Sequence, residues 1–314
     1  MDKSVITKTL KNNRPTLGDS SIRTYSSIIS NICKQLDYTQ CDPSYLASHH
    51  SEIAKHLSTQ NPQNRKTRLS SLIVYLEKTK GCEKAVENFR SQMMADGKKS
   101  DEAAVEQKLT ERQEANMIEW KEVQEKYNEL EDEVKPLMKK SSLDKNQFRK
   151  VQLYVLLSCL TLIPPRRSTD FTEFKIRGDI DENKDNFMEA ETTGKGKNKV
   201  TKYYFVFNIY KTTKKYGQQR EEIPPKLVEI MKEWIRLNPY EYLLMNVSQT
   251  AKISPVQLTI YLNDFFQKNI STSMLRHIYL TNKYANIPAL KDMQDCATAM
   301  GHSVEEALLY VKKK

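Results

Sequence analysis

Cationic side chains occupy four places in the C-terminal half of this sequence where a phosphate group could be held. Arg166 and Arg167 follow a pair of prolines, Lys211 follows an aromatic run, Arg276 precedes a histidine, and His302 follows a glycine. A guanidinium group can donate two parallel hydrogen bonds to one phosphate, and lysine or histidine can donate a proton during a reaction. These residue types therefore predict chemistry on a phosphate group.

The two arginines lie in residues 163–170 (IPPRRSTD), directly after the most apolar run of the chain. Because proline cannot continue a helix, that run is predicted to be a buried helix that ends here. An arginine anchored by such a helix can hold its guanidinium group rigidly against a phosphate. The alternative for either arginine is a salt bridge to Asp170 or Glu173.

The lysines lie in a predicted β-hairpin. Residues 203–210 (YYFVFNIY) are rich in aromatic and β-branched residues, residues 220–224 fit the returning strand, and residues 211–217 form a polar turn that contains a glycine. A lysine at this turn could approach a backbone oxygen of nucleic acid as a charge donor or general acid. A solvated basic turn is the alternative for Lys211, Lys214 and Lys215.

The remaining candidate site residues lie on or near two further predicted helices. Arg276 and His277 lie early in a predicted helix over residues 271–285, whose first residues could equally be caps. Gly301 is typical of a helix end, and a short helix over residues 304–311 would carry Tyr310. Tyr310 is either a packed aromatic or a nucleophile, and a nucleophile would need cations around its target phosphate.

Helical periodicity dominates the segments that must position these side chains. We predict a mainly α chain, with an N-terminal four-helix bundle and a mostly helical second domain that carries a small antiparallel sheet. The predicted boundaries are a flexible N-terminus over residues 1–16, the bundle over 17–96, a charged linker over 97–116, and the second domain over 117–314.

Composition narrows the class of protein. The chain of 314 residues has a formal net charge of +10 and 29% charged residues, which favours a soluble protein with a polyanionic partner such as nucleic acid. No run is long and apolar enough to predict a membrane span, and the first residues do not form a secretory signal. The five cysteines are scattered, so we predict neither a zinc site nor a disulfide framework, and expect a reducing intracellular compartment.

The order of these features resembles the active-site series of tyrosine recombinases, also called phage-type integrases. The resemblance covers roughly residues 117–314 and rests on LIPPRR at 162–167, YKT at 210–212, MLRHI at 274–278 and MGHS at 300–303. These local sequences are most similar to those of recombinases of large eukaryotic DNA viruses and crypton-type transposons. The N-terminal bundle resembles the core-binding domain of that family.

The resemblance implies a site-specific recombinase that cuts and rejoins double-stranded DNA through a 3′-phosphotyrosyl link, without metal, ATP or other cofactor. It assigns catalysis to Arg167, Lys211, Arg276, His302 and Tyr310. It further implies a homotetramer on DNA, a monomer or weak oligomer otherwise, and the nucleus or viral factory of a host cell if the chain is viral, or else the cytoplasm. The alternative or supporting residues are Arg166, Ser273, His277 and Lys214.

Two departures from the family pattern leave questions open. Ser273 stands where the family carries a histidine, so the general base is undefined, and Tyr310 follows His302 by one residue fewer than is common. The rival functions are relaxation of DNA like a type IB topoisomerase, and DNA binding without catalysis. The predicted DNA contacts outside the catalytic set are Arg23, Tyr25, Arg65, Lys66, Arg68 and Lys215.

Overall fold

The computed structural model of the chain describes residues 3–105, 107–194, 196, 199–300, 303–305 and 308. The protein is mainly helical with a small antiparallel sheet, which confirms the predicted fold class. The helices are α1 Lys3–Asn13, α2 Asp19–Gln35, α3 Pro43–Ser48, α4 His50–Ser58, α5 Pro62–Leu76, α6 Glu83–Val105, α7 Glu111–Asn116, α8 Trp120–Met138, α9 Lys145–Thr161, α10 Ser168–Thr172, α11 Thr213–Tyr216, α12 Pro225–Leu237, α13 Pro255–Phe266, α14 Thr272–Lys283 and α15 Leu290–Ala299. The strands are β1 Phe187–Thr193, β2 Val200–Phe207 and β3 Gln219–Glu222.

The chain divides into two compact units. The described residues of Met1–Lys108 and Pro288–Lys314 form the first unit, and Leu109–Ile287 form the second. The predicted domain boundaries differ in two ways, because α6 extends through the first part of the predicted linker and α15 groups with the first unit. Each unit has its own apolar core, as expected for a chain of this length.

Helix α1 belongs to the core of the first unit. Ile6 and Leu10 are buried in it, and the side-chain amide of Asn13 donates hydrogen bonds of 2.8 and 2.9 Å to the carbonyls of Val74 and Tyr75 near the end of α5. The predicted loose N-terminus is therefore a packed helix. The spacing of Ile6 and Leu10 is helical, but two apolar residues in a polar stretch are a weak sequence signal.

Helices α3 and α5 of the first unit start at recognisable side-chain caps. Asp42 accepts a hydrogen bond from the Tyr45 N–H at the start of α3, and Asn61 accepts one from the Gln63 N–H at the start of α5. A proline occupies the first position of both helices, where its missing N–H costs nothing. The chain after Asp42 forms two consecutive helices, α3 and α4, which are divided at His49.

Cys33 and Cys41 form a disulfide in the first unit, with their Cα atoms 6.3 Å apart. The sequence indicated no disulfide framework, and this single disulfide was not predicted. Cys33 lies on α2 and Cys41 lies in the loop before α3, so tertiary folding brings them together and their spacing gave no recognisable pattern. Cys82 and Cys159 are buried thiols, and Cys296 is an exposed thiol.

Helix α9 runs through the core of the second unit. It begins at a capping box, in which Asp144 accepts from the N–H of Gln147 and the Gln147 side chain accepts from the N–H of Asp144. Its residues are buried around most of the helix circumference, as in a helix surrounded by other elements. Gln152 adds a buried hydrogen-bond pair with the backbone of Met245, with distances of 2.7 and 3.0 Å.

The three strands form a sheet in the order β1-β2-β3, with both pairings antiparallel. Phe187 pairs with Val206 between β1 and β2, and Phe207 pairs with Gln219 between β2 and β3. Phe205 and Phe207 point into the core and pack edge to face with Phe171 and Phe174. The predicted hairpin corresponds to β2 and β3, whereas β1 was not predicted.

Among the described residues, none of the helices has both the length and the apolar content that a bilayer crossing requires.

Candidate functional site

The end of α9 sets the position of the two arginines. Pro164 and Pro165 follow the helix, and Pro165 is buried, so the chain leaves the core in an extended conformation. Arg167 is the residue before the short helix α10 and has extended backbone angles, φ −75° and ψ 155°. The local sequence therefore places both arginines between the core helix α9 and the short, largely buried helix α10.

Arg166 is held by residues of its own unit. Its Nε lies 2.8 Å from Asp170 Oδ2, its Nη2 donates a 2.7 Å hydrogen bond to Gln219 Oε1, and its guanidinium carbon lies 3.9 Å from the centroid of the Phe207 ring. These contacts tie α10 to the sheet. The salt bridge that we considered from the sequence therefore applies to Arg166.

Arg167 and Arg276 line one cavity of about 300 Å³. Neither has a hydrogen bond or ion pair to any residue that the structure describes, although both are partly buried. The other residues around the cavity come from the end of α9, from α10, and from the turn between β2 and β3 with the strand after it. They are Ile163, Pro164, Pro165, Arg166, Asp170, Tyr210, Thr212, Tyr216, Gln219, Glu221 and Glu222.

Arg167 and Arg276 repel each other in this cavity, which Asp170, Glu221 and Glu222 also line. Burial lowers the pKa of the Arg276 guanidinium group, and repulsion from Arg167 lowers it further, because each positive charge disfavours the other. A bound phosphate would relieve that repulsion and could accept hydrogen bonds from both groups. The arrangement is therefore suited to holding a phosphate oxygen pair.

Asp170 is the buried acidic group beside this cavity, with 3% of its surface exposed. Burial raises the pKa of its carboxyl group, while the charges of Arg166, Arg167 and Arg276 oppose that rise. Its Oδ2 pairs with Arg166, whereas Oδ1 is buried and has no hydrogen-bond partner among the described residues. Asp170 thus supplies negative charge behind the arginines.

Asn186 is a positioning residue that the sequence did not reveal. Its amide nitrogen donates 2.9 Å hydrogen bonds to the carbonyls of Asp170 and Ile209, and its amide oxygen accepts from the N–H groups of Asn208 and Ile209 at 2.7 Å. It is fully buried. One side chain therefore fixes α10 relative to the backbone that leads into Lys211, but an isolated asparagine before a strand carries no sequence signal for this role.

The hairpin turn is ordered by its own side chains. The Tyr210 hydroxyl donates a 2.6 Å hydrogen bond to the Gly217 carbonyl, and the Thr213 hydroxyl lies 3.0 Å from the Asn208 carbonyl. Lys211 is exposed and does not itself line the cavity among the described residues, although its neighbours Tyr210 and Thr212 do. The predicted turn also contains the short helix α11, which carries Lys214 and Lys215.

Helix α14 carries Arg276 together with Ser273 and His277, and these three residues differ in whether they line the cavity. Ser271 caps the helix by accepting a hydrogen bond from the Met274 N–H. His277 is exposed and its Nε2 lies 3.4 Å from Gln113 Nε2 on α7, away from the cavity lining. Ser273 is also exposed and lies outside that lining. Of these candidates, Arg276 alone lines the cavity.

The DNA contacts predicted in the first unit have different surroundings. Arg23 is exposed, and the Tyr25 hydroxyl lies 3.0 Å from the Ser70 hydroxyl. Arg65 donates through both Nε and Nη2 to Asp96, and this pairing lowers the pKa of the Asp96 carboxyl group. Lys66 and Arg68 are partly buried on the same helix, α5. Arg65 is therefore engaged within its own unit.

Two predicted catalytic residues, His302 and Tyr310, lie outside the described residues, so the structure places neither of them. Within the described part of the chain, histidine, cysteine, aspartate and glutamate side chains form no group that could hold a metal ion. No protein-family model matches the chain, and no curated protein matches its sequence.

Proposed function

We propose that this protein is a tyrosine recombinase, an enzyme that cuts and rejoins double-stranded DNA. The observation that carries the proposal is the cavity that Arg167 and Arg276 both line, where neither forms an ion pair with a described residue. These arginines come from distant parts of the sequence, and the family pattern assigns both of them to one active site. The net charge of +10 also favours a nucleic-acid partner.

In the proposed reaction, Arg167 and Arg276 hold the non-bridging oxygens of one DNA phosphate and stabilise the charge that develops there. Tyr310 gives up its phenolic proton to solvent water and attacks the phosphorus atom. The bond from phosphorus to the 5′-oxygen breaks, which leaves a 3′-phosphotyrosyl link. Lys211 donates a proton to the leaving oxygen, and His302 is a third donor to the phosphate. Because the covalent link conserves the energy of the broken bond, rejoining requires no ATP.

The wider biology of the proposal follows from the resemblance. Two cuts on each of two duplexes require four protomers, so we propose a homotetramer assembled on DNA. The first unit would contact the duplex backbone through exposed or partly exposed cations such as Arg23, Lys66 and Arg68. An intracellular site where viral or mobile DNA is handled, the nucleus or a viral factory, is proposed from the resemblance alone, because the Cys33–Cys41 disulfide does not support a reducing compartment.

A covalent trapping experiment tests this function. A library of short duplexes with nicks at many positions is incubated with the protein, so that cleavage releases a small fragment and prevents rejoining. We expect a protein–DNA adduct that survives boiling in detergent, is formed by Tyr284→Phe and is absent from Tyr310→Phe. Tyr284 is a matched control, since it is an exposed tyrosine outside the cavity lining.

The rival functions predict different results. An adduct that persists in Tyr310→Phe contradicts the assignment of the nucleophile. DNA binding without any adduct favours a binding protein, a reading supported by the exposed Ser273 at the family's histidine position. Relaxation of supercoiled plasmid without exchange of strands between duplexes favours an enzyme like a type IB topoisomerase.

A further inference from the structure

The cavity around Arg167 and Arg276 has room for more than a phosphate group. Its volume of about 300 Å³ reaches the range of sites that enclose small organic ligands. The arginines account for one part of its lining, while Pro164, Tyr210 and Tyr216 contribute apolar and aromatic surface. A site for a backbone phosphate alone has no need of this second surface.

Tyr216 is the unusual member of that lining. It is 57% exposed at the end of α11, and Lys215 Nζ lies 4.9 Å from the centroid of its ring. By contrast, Tyr210 is buried and its hydroxyl is bonded to the Gly217 carbonyl. Tyr216 therefore offers a ring that packs little against its own unit, next to a cation and in the lining of the cavity that Arg167 and Arg276 share.

An exposed aromatic ring beside cations is the arrangement that binds unpaired nucleotides. The cations hold the backbone, and the ring stacks on a base without regard to its identity, because every base has a π-face. A base within an intact duplex is already stacked between its neighbours, so it must leave the helix before it can contact such a ring.

From these observations we infer that the cavity takes one whole nucleotide of the DNA, with its phosphate on Arg167 and Arg276 and its unpaired base stacked on Tyr216. This inference rests on the proposed function, since it takes DNA as the substrate. It adds that the substrate has an unstacked base next to the phosphate that reacts. Fully paired DNA would then be a poorer ligand than DNA already unpaired at that position.

Three short duplexes of equal length and equal phosphate number test the inference, so that counterion release is the same for each. The first carries 2-aminopurine paired with thymine at its centre, the second carries 2-aminopurine opposite an abasic residue, and the third carries abasic residues on both strands. Fluorescence anisotropy gives the dissociation constants, and quenching of 2-aminopurine reports stacking of that base.

We expect the wild-type protein to bind the unpaired 2-aminopurine about tenfold more tightly than the paired or doubly abasic duplex, with quenching on binding. Tyr216→Phe keeps that ratio because it keeps the ring. Tyr216→Leu reduces the ratio to about one and removes the quenching, whereas Tyr284→Leu, which changes an exposed tyrosine outside the cavity lining, leaves the ratio unchanged.

Equal affinities of the wild-type protein for the three duplexes would overturn the inference. So would an unchanged ratio in Tyr216→Leu, or equally tight binding of the doubly abasic duplex, which would show that the sugar-phosphate chain is sufficient. None of these measurements needs cleavage. A protein that forms a covalent adduct but binds the three duplexes equally contradicts this inference alone, and a protein that prefers the unpaired base but forms no adduct contradicts the proposed function alone.

Discussion

Arg166 Nε lies 2.8 Å from Asp170 Oδ2, whereas the adjacent Arg167 lines the same cavity with no ion pair to any described residue. Adjacent arginines therefore have different roles. The side chain of Arg166 is 16% exposed and that of its partner 4%, so their pairing satisfies two charges that water reaches poorly. Arg167 retains its donors for a ligand.

The first prediction contrasts these two arginines. Arg166→Ala leaves a buried carboxyl group without its cation, and we expect the free energy of unfolding to fall by about 3 kcal/mol. Arg167→Ala removes no such partner, so its effect on stability should stay within about 0.5 kcal/mol. Urea denaturation followed by circular dichroism measures both.

For protein that remains folded, we expect Arg167→Ala to weaken DNA binding more than Arg166→Ala does. Arg167→Ala loses a phosphate contact, and its affinity should become less sensitive to salt concentration. A variant Arg167→Ala that is as destabilised as Arg166→Ala would contradict the assignment of Arg167 to the ligand.

The second prediction concerns the buried amide of Asn186. Asn186→Ala leaves the carbonyls of Asp170 and Ile209 and two N–H groups without their partner, so we expect a loss of about 3 kcal/mol in the free energy of unfolding. Asn183→Ala is the matched control, because Asn183 is exposed in the loop before Asn186. Equal stability of these two variants would show that the turn holds together without the amide.

Several elements could be predicted because their sequence pattern coincides with their packing. Helices α8 and α12 follow their sequence pattern closely, because each buries one face at helical spacing over residues 120–138 and 225–237. Strand β1 was missed because Phe187 is its only buried residue and four of the other six residues are polar or acidic. Its place in the sheet is set by pairing with β2, which a single segment cannot reveal.

The candidate site, like the fold, could be predicted from the sequence only in part. Arginine, lysine and turn residues can be recognised by residue type alone, so the sequence could predict Arg166, Arg167, Lys211 and Arg276 as site residues. It left open which of Arg166 and Arg167 pairs with Asp170, because both spacings are short enough for contact. The choice depends on Phe207 and Gln219, which approach Arg166 from a sheet formed by later residues.

The third prediction is a pH dependence of stability that originates in Asp170. Its pKa in the folded chain is raised above the ordinary value of about 3.9, so the folded state binds the proton more tightly than the unfolded chain. The resulting stabilisation is fully present below about pH 3.9 and is lost as the pH rises through the folded pKa. The stability of the wild type relative to Asp170→Asn should therefore fall with rising pH across that window and then become constant.

Denaturation curves from pH 3.5 upward measure this difference, and the ¹³C resonance of the Asp170 carboxyl group gives its pKa directly. Arg166→Ala provides an internal check, because removal of the cation that opposes the rise should move the pKa of Asp170 higher still. A relative stability that increases with pH would mean that the ion pair outweighs burial.

The fourth prediction concerns helix α1, which the sequence led us to expect as a loose segment. Leu10 is fully buried, so Leu10→Ala should lower the free energy of unfolding of the first unit by about 3 kcal/mol. Val5→Ala is the control on the same helix, since Val5 is 57% exposed and its truncation should cost less than about 0.5 kcal/mol. Hydrogen exchange of the α1 amides would detect a loose helix directly, because such amides would exchange as fast as those of an unfolded peptide.

The fifth prediction separates the three lysines of the hairpin. If Lys211 protonates the leaving 5′-oxygen, Lys211→Ala should slow cleavage by about 10²-fold or more while DNA affinity changes little. A substrate with sulfur in place of that oxygen has a leaving group that needs no proton, so it should restore the rate of Lys211→Ala. Lys214→Ala and Lys215→Ala, which alter the same turn on α11, are the matched variants and should cleave both substrates at rates close to the wild type.

Rescue of a different lysine variant would move the general acid to that residue. The structure makes this outcome informative, because Asn186 and Thr213 fix the backbone of the turn while the lysine side chains on it are exposed. A side chain that must reach the leaving oxygen therefore starts from a defined backbone position, and substitution of its neighbours leaves that position unchanged. Loss of cleavage without rescue in all three variants would instead indicate that the turn supplies charge for DNA binding and no proton.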